Sequence, residues 1–187
     1  MTDGVSTGAS TVEEIEHHIR EVPDFPKPGI SFKDITPLIE NGPAFCAAVD
    51  GMAQATESVD YSRILSAEAR GFVFGTALAY RTRKGLVLAR KPDKLPRDTI
   101  SAYYDLEYGQ NALEVHVDAI ANGTRVLVVD DLLATGGTAR AMCDLVENAG
   151  GSVVGVAFLI ELGYLQGRAR LAAYEVISLV TYATPDD

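Results

Sequence analysis

Two adjacent carboxylates, Asp130 and Asp131, stand between the apolar run Val126-Leu127-Val128-Val129 and the small-residue stretch Leu132-Leu133-Ala134-Thr135-Gly136-Gly137-Thr138. Acids placed there can accept hydrogen bonds from sugar hydroxyls, and the stretch after them can cradle a phosphate dianion. Gly136 and Gly137 permit backbone angles closed to other residues and let main-chain N–H groups approach a ligand closely. Thr135 and Thr138 add hydroxyl donors, and a helix opening near Thr138 supplies unpaired amides and the positive end of its dipole. Arg70, in Glu68-Ala69-Arg70-Gly71, is a second candidate, because a guanidinium grips an oxyanion through two parallel N–H groups. Its alternative is a surface ion pair with Glu68, which would contribute little. The third candidate is Arg90-Lys91-Pro92-Asp93-Lys94-Leu95-Pro96-Arg97, four cations in a Pro-punctuated loop of an otherwise acidic chain. That is either an ordinary solvated loop or a site for a ligand with more than one phosphate.

The elements that must position these groups follow from periodicity. An unbroken apolar run at 126–129 predicts an interior parallel strand, with both acids at its carboxyl end, where open α/β sheets bind ligands. Thr138, Ala141, Met142, Leu145, Val146 and Ala149 fall at helical spacing, and Gly150-Gly151 ends that helix. Upstream, Thr11-x-x-Glu14 resembles a capping box, with Val12, Ile15, Ile19 and Val22 on one helical face. Pro23, Pro26, Pro28 and Gly29 enforce an irregular connector before residues 30–35. Helices are predicted over 43–57 and 72–80, strands over 63–67 and 86–89, and a hairpin from 103–106 and 113–117. A strand over 153–160, a short helix over 164–171 and a strand over 176–180 complete the chain. Such βαβ alternation specifies an α/β fold, a mostly parallel open sheet with helices on both faces. Residues 11–187 are expected to form a single domain, and the small, polar segment 1–10 to be disordered.

Several classes of protein are excluded. No Gly-x-x-x-x-Gly-Lys-Ser/Thr and no Gly-x-Gly-x-x-Gly after a strand occurs, which removes the nucleoside triphosphatase loop and the dinucleotide fold. At 187 residues and 47% hydrophobic content the chain suits one well-covered core. No apolar stretch reaches the length of a membrane span and no basic-then-apolar leader opens the chain, so a soluble, cytoplasmic protein is expected. A net charge of −10 argues against non-specific nucleic-acid binding. Cys46 and Cys143 lack metal-ligand spacing and sit in apolar helical patterns, so both are expected as reduced core thiols. His17, His18 and His116 form no metal constellation.

Adjacent acids before a threonine and glycine loop resemble the signature of the phosphoribosyltransferase family. Further blocks are Pro28-Gly29-Ile30-Ser31-Phe32-Lys33-Asp34-Ile35-Thr36-Pro37-Leu38, Glu68-Ala69-Arg70-Gly71-Phe72-Val73-Phe74-Gly75, Arg90-Lys91-Pro92-Asp93-Lys94-Leu95-Pro96 and Leu106-Glu107-Tyr108-Gly109. They occur in the order found in the adenine-specific members of that family. The phosphate loop marks only the superfamily, whereas the Phe-Lys-Asp-Ile-Thr-Pro and Leu-Glu-Tyr-Gly blocks select adenine.

The resemblance implies the type I phosphoribosyltransferase fold, with an N-terminal hood and a flexible hairpin lid. It implies transfer of the 5-phosphoribosyl group from phosphoribosyl pyrophosphate to adenine, giving AMP and pyrophosphate, with Mg²⁺ as cofactor and a homodimer as the assembly. By this resemblance Ala134, Thr135, Gly136, Gly137 and Thr138 hold the 5′-phosphate. Asp130 and Asp131 hold the ribose hydroxyls and aid a metal bound mainly through substrate oxygens. Arg70, Lys91 and Lys94 neutralise the pyrophosphate. Phe32 stacks on adenine, backbone groups of Ser31 and Lys33 read its edge, and Leu162 covers the opposite face. Glu107 and Tyr108 ride on the lid as catalytic groups beside Arg70, and Glu107 exchanges a proton with the purine. Lys33, Asp93 and Ala69 stand where the family commonly has Arg, Gly and Ser. A purine-sensing regulator of the same fold is the alternative outside catalysis, and an enzyme for hypoxanthine or xanthine the alternative within it.

Overall fold

The computed structural model describes residues 9–105 and 110–185. In chain order it comprises α1 (Ala9–His17), β1 (Arg20–Val22), β2 (Phe32–Asp34), α2 (Thr36–Glu40), α3 (Gly42–Ala55), β3 (Arg63–Ala67), α4 (Gly71–Thr82), β4 (Gly85–Ala89), β5 (Thr99–Asp105) and β6 (Gln110–His116). There follow β7 (Arg125–Leu133), α5 (Gly137–Asn148), β8 (Ser152–Leu162) and β9 (Val176–Tyr182), with 3-10 turns at Gly163–Leu165 and Gly167–Leu171. Five strands form one sheet in the order β4-β3-β7-β8-β9, and every pairing in it is parallel. Side chains alternate between its faces, as the strand period of two requires. Leu65, Val126, Val128, Val156 and Phe158 join α5 and the β5–β6 hairpin in one cluster. Ile64, Leu127, Val129, Ala157 and Leu159 join α1, α3 and α4 in the other. Both faces are therefore covered, which is why β7 and β8 read as continuous apolar runs.

This strand order places the first strand of the sheet, β3, beside the third, β7. Chain connections leave β3 and β7 in opposite directions across the sheet, so a crevice opens between their carboxyl ends, the position where open α/β sheets take ligands. The loops Glu68–Gly71 and Ala134–Gly136 border that crevice. Two smaller units flank it. β1 and β2 pair antiparallel, Val22 opposite Phe32. β5 and β6 pair antiparallel and join the sheet side through backbone bonds between Arg90 and Glu114.

The structure departs from the sequence reading at several points. α1 opens at Ala9, so Thr11 lies inside the helix and is not its cap. Val22 belongs to β1 and not to the helical face, because the chain leaves the helix after His17. α2 was not anticipated; Pro37 stands in its first turn, and Asp34 holds its first residue through the Thr36 N–H (2.9 Å) and hydroxyl (2.8 Å). The expected helix over 164–171 is two 3-10 turns broken at Gln166, whose φ is +54°. β7 runs on to Leu133, since β8 is long enough to pair with Leu132 and Leu133. Cys46 is exposed, contrary to the expected core thiol. α3 buries Ala44, Ala48, Val49 and Met52, and Cys46 points to the other side of that helix. Cys143 is buried as expected, and burial pushes its thiol up to about 12.

Candidate active site

The candidate phosphate cradle is the turn from β7 into α5. Gly136 has φ +82° and caps α5 without any side-chain hydrogen bond, so the first amides of the helix keep no partner from a capping group. No acid occupies the first turn of α5, which leaves the positive end of its dipole uncompensated. A Cβ on Gly136 would stand 2.6 Å from the Gly167 carbonyl oxygen. The 3-10 turn that begins at Gly167 thus packs directly behind the cradle. That turn is fixed by Arg168, whose Nε and Nη2 donate to the two oxygens of Glu161 at 2.7 and 2.6 Å and whose Nη1 donates to the Val176 carbonyl at 2.9 Å. Against the upward push of burial, the Arg168 bonds and one from the Ser178 hydroxyl hold the Glu161 carboxyl below the usual carboxylate range.

Ahead of the cradle, Asp130 and Asp131 are both buried, at 9% and 6% exposure. Burial drives the Asp130 carboxyl well above the ordinary carboxylate range, and the neighbouring Asp131 charge adds to the rise. Burial also raises Asp131, while the Arg70 guanidinium opposes that rise. Asp130 Oδ1 accepts the Asp131 N–H at 3.0 Å. Arg70 Nε lies 2.9 Å from Asp131 Oδ2, yet that oxygen receives no aligned hydrogen bond. It is a buried acceptor on the wall of the crevice, and a buried acceptor is costly to leave unsatisfied. Gly71 is required here, because a Cβ would overlap Asp130 Oδ1 and sit 2.9 Å from Ser66 Oγ.

Arg70 also lies over the Phe32 ring, 5.2 Å from its centroid, a cation–π contact. The arginine loop and the β1–β2 unit thus meet at the crevice. Phe25 packs edge-on against Phe32 with centroids 5.1 Å apart. Ser31 Oγ donates to Glu21 at 2.7 Å. The Lys33 side chain is buried, with Nζ 3.8 Å from Glu21 and 4.2 Å from the Tyr182 ring centroid. Leu162 is buried at the end of β8.

The crevice encloses about 370 Å³ and is lined by Glu68–Gly71, Tyr104 and the continuous stretch from Asp130 to Ala139. It gathers Arg70, both acids and all five cradle residues. Lys91 and Lys94 are exposed outside this lining. Lys94 instead borders a separate cavity with Arg63, Pro96 and His116. Glu107 and Tyr108 lie outside the described residues. Glu68 does not pair with Arg70; it meets Arg90 and the Lys91 N–H. Sequence reasoning missed Glu161, Gly167 and Arg168, and it placed Glu68 and Arg90 in the two loops without pairing them. The usable signal was a carboxylate at a strand end whose parallel neighbour ends in a basic loop. Among the described residues no group of three or more His, Cys, Asp or Glu gathers as a metal site, and no helix is long and apolar enough to cross a membrane.

The family model of the phosphoribosyl transferase domain matches residues 38–184. An adenine phosphoribosyltransferase of Rubrobacter xylanophilus is 69% identical over 176 residues, covering 94% of this chain and 95% of that protein. The chain belongs to the adenine phosphoribosyltransferase family. Among solved structures, the family member from Thermoanaerobacter pseudethanolicus superposes with a TM-score of 0.90 at 51% identity, over 91% of this chain and 99% of that one. The Saccharomyces cerevisiae member, complexed with an imino-altritol bisphosphate and adenine, superposes with a TM-score of 0.86 at 36% identity, over 91% and 99%. Family membership agrees with the type I phosphoribosyltransferase fold expected from the sequence motifs.

Proposed function

We propose that this chain transfers the 5-phosphoribosyl group from phosphoribosyl pyrophosphate to N9 of adenine, breaking the anomeric C–O bond to pyrophosphate and forming the C–N bond of AMP. The observation that carries this reading is the continuous wall from Asp130 to Thr138, two buried acids joined through Leu132–Gly136 to a helix start that has no side-chain cap. Acids to grip ribose hydroxyls and amides to grip a 5′-phosphate stand in the order that one phosphoribosyl group needs. Purine salvage in the cytoplasm, by a homodimer, is the corresponding setting.

Departure of pyrophosphate builds an oxocarbenium-like centre at the anomeric carbon, so the protein need supply no nucleophile. Its task is positioning, neutralisation of the leaving group and exclusion of water. Ala134 to Thr138 bind the 5′-phosphate. Asp130 and Asp131 orient the ribose, and Arg70, aided by Lys91 and Lys94, neutralises the departing pyrophosphate. Phe32 stacks on the adenine ring, main-chain groups of Ser31 and Lys33 read its edge, and Leu162 covers the far face. Glu107, with Tyr108, takes up a proton from the purine near N7 as the N9 bond forms.

The residues present fit Mg²⁺. Asp130 and Asp131 offer carboxylate oxygens, one without a hydrogen-bond donor, and magnesium characteristically binds a few carboxylates together with waters and substrate phosphates. The ion, when bound, supplies positive charge against the pyrophosphate oxygens.

Incubation with phosphoribosyl pyrophosphate, Mg²⁺ and adenine, hypoxanthine or xanthine in turn, followed by nucleotide assay, tests this reading. AMP as the dominant product is expected. Binding of purine without turnover would instead indicate a sensor, and IMP or XMP a different acceptor.

A further inference from the structure

We propose that Glu68 is a positioning residue that locks the arginine loop, the basic loop and the β5–β6 hairpin into one frame for pyrophosphate; this rests on the reaction proposed above. Its backbone N–H donates to the Ala89 carbonyl at 3.0 Å, continuing the β3–β4 pairing one step past the strand. Its side chain then reaches across to the neighbouring loop. Oε1 accepts the Lys91 N–H at 2.6 Å and lies 3.3 Å from Arg90 Nε, while Oε2 accepts from Arg90 Nη2 at 3.4 Å. Arg90 carries the frame further. Its N–H donates to the Glu114 carbonyl at 2.9 Å, its carbonyl accepts the Glu114 N–H at 2.7 Å, and its Nη1 donates to the Lys94 carbonyl at 3.3 Å.

One carboxylate therefore spans the ends of β3 and β4, and its partner ties both to β6. Arg70 follows Glu68 by two residues and Lys91 follows Arg90 by one, so the separation of Arg70 and Lys91, two of the three cations assigned to pyrophosphate, is set by this pair. The side chain of Glu68 is only 17% exposed, where charge-assisted hydrogen bonds are little screened. Bonds from Lys91 and Arg90 hold its carboxyl below the ordinary value in spite of burial, so it is ionised at neutral pH.

The sign of the effect separates positioning from a simple countercharge. A bare negative charge near the pyrophosphate would repel it, and its removal would tighten binding. Loss of a frame loosens binding. Titration calorimetry of inorganic pyrophosphate with Mg²⁺, and separately of AMP, on wild type, Glu68→Gln, Arg90→Met and the double variant reads the difference. Gln can accept from Lys91 or Arg90 but turns its NH₂ toward the other donor. Pyrophosphate affinity is expected to fall about tenfold or more, the scale of one lost charged hydrogen bond. AMP affinity should stay within about twofold, and the double variant should be no weaker than the poorer single one, since the two residues act as a unit. Arg90→Lys, which keeps charge but loses the planar fork, gives the same readout should Glu68→Gln not fold. Unchanged or tighter pyrophosphate binding, or an equal loss for AMP, overturns the proposal. A wild-type protein that makes no AMP from phosphoribosyl pyrophosphate and adenine would overturn the reaction instead.

Discussion

Arg70 Nε stands 2.9 Å from Asp131 Oδ2, and the two are the charged jaws of the crevice between β3 and β7. The arginine leaves the end of one strand and the acid stands near the end of its neighbour, so their approach reports the alignment of the whole switch point. Arg70 is half exposed, which leaves its guanidinium accessible to a ligand as well as to Asp131.

Arg70→Lys should reveal whether the planar fork or only the charge matters. Lysine keeps one positive charge but cannot donate two parallel hydrogen bonds. We expect kcat/KM for phosphoribosyl pyrophosphate to fall about 100-fold, the range for losing a donor to developing negative charge. Steady-state kinetics at fixed, saturating adenine measures it; a loss under threefold would assign Arg70 a role in folding alone.

Asp130→Asn should separate stability from activity. The carboxyl is raised in the folded state, so the folded protein holds a proton more tightly than the unfolded chain does. Its ionised form opposes folding, an effect absent below the unfolded value near 3.8 and growing as pH rises through the folded value. Thermal melts across pH should show the variant matching wild type in acid and surpassing it at neutral pH. Turnover should nevertheless drop by about 100-fold or more. A variant less stable than wild type at neutral pH would contradict the assigned cost of that buried charge.

Gly136→Ala tests the cradle. A left-handed backbone costs a non-glycine residue about 1–2 kcal/mol, and the new methyl would also press on the Gly167 carbonyl, 2.6 Å away. Denaturant unfolding should show a loss of at least that size, and AMP binding by calorimetry should weaken about tenfold or more as the amides lose their aim. Retained AMP affinity would show that the cradle tolerates a side chain.

Phe32→Ala tests the base platform. Stacking of a base on an aromatic ring contributes about 1–3 kcal/mol, so KM for adenine should rise by about tenfold while KM for phosphoribosyl pyrophosphate changes little. Because Arg70 also rests on this ring, a matched rise in both constants would mean that Phe32 serves the arginine and not the base.

Sequence alone determined the local pieces: the interior strand at 126–129, the helix after Gly137, both flanking βα turns and the order of residue types from Asp130 to Thr138. These rest on short-range periodicity and on residue types that a turn or a helix start demands, which neighbouring letters encode. Tertiary structure alone decided which loops meet. Nothing near Glu68 in the chain names Arg90 as its partner in place of Arg70, since that depends on β3 pairing with β4 in parallel register. Gly136 and Gly167 lie thirty-one positions apart and touch only because β8 returns beside β7 and Arg168 folds the turn back onto Glu161. Strand order and side-chain burial are sums over the whole core, so they set the raised carboxyl of Asp130, the ion pair of Arg70 and the exposure of Cys46, none of which a local pattern carries.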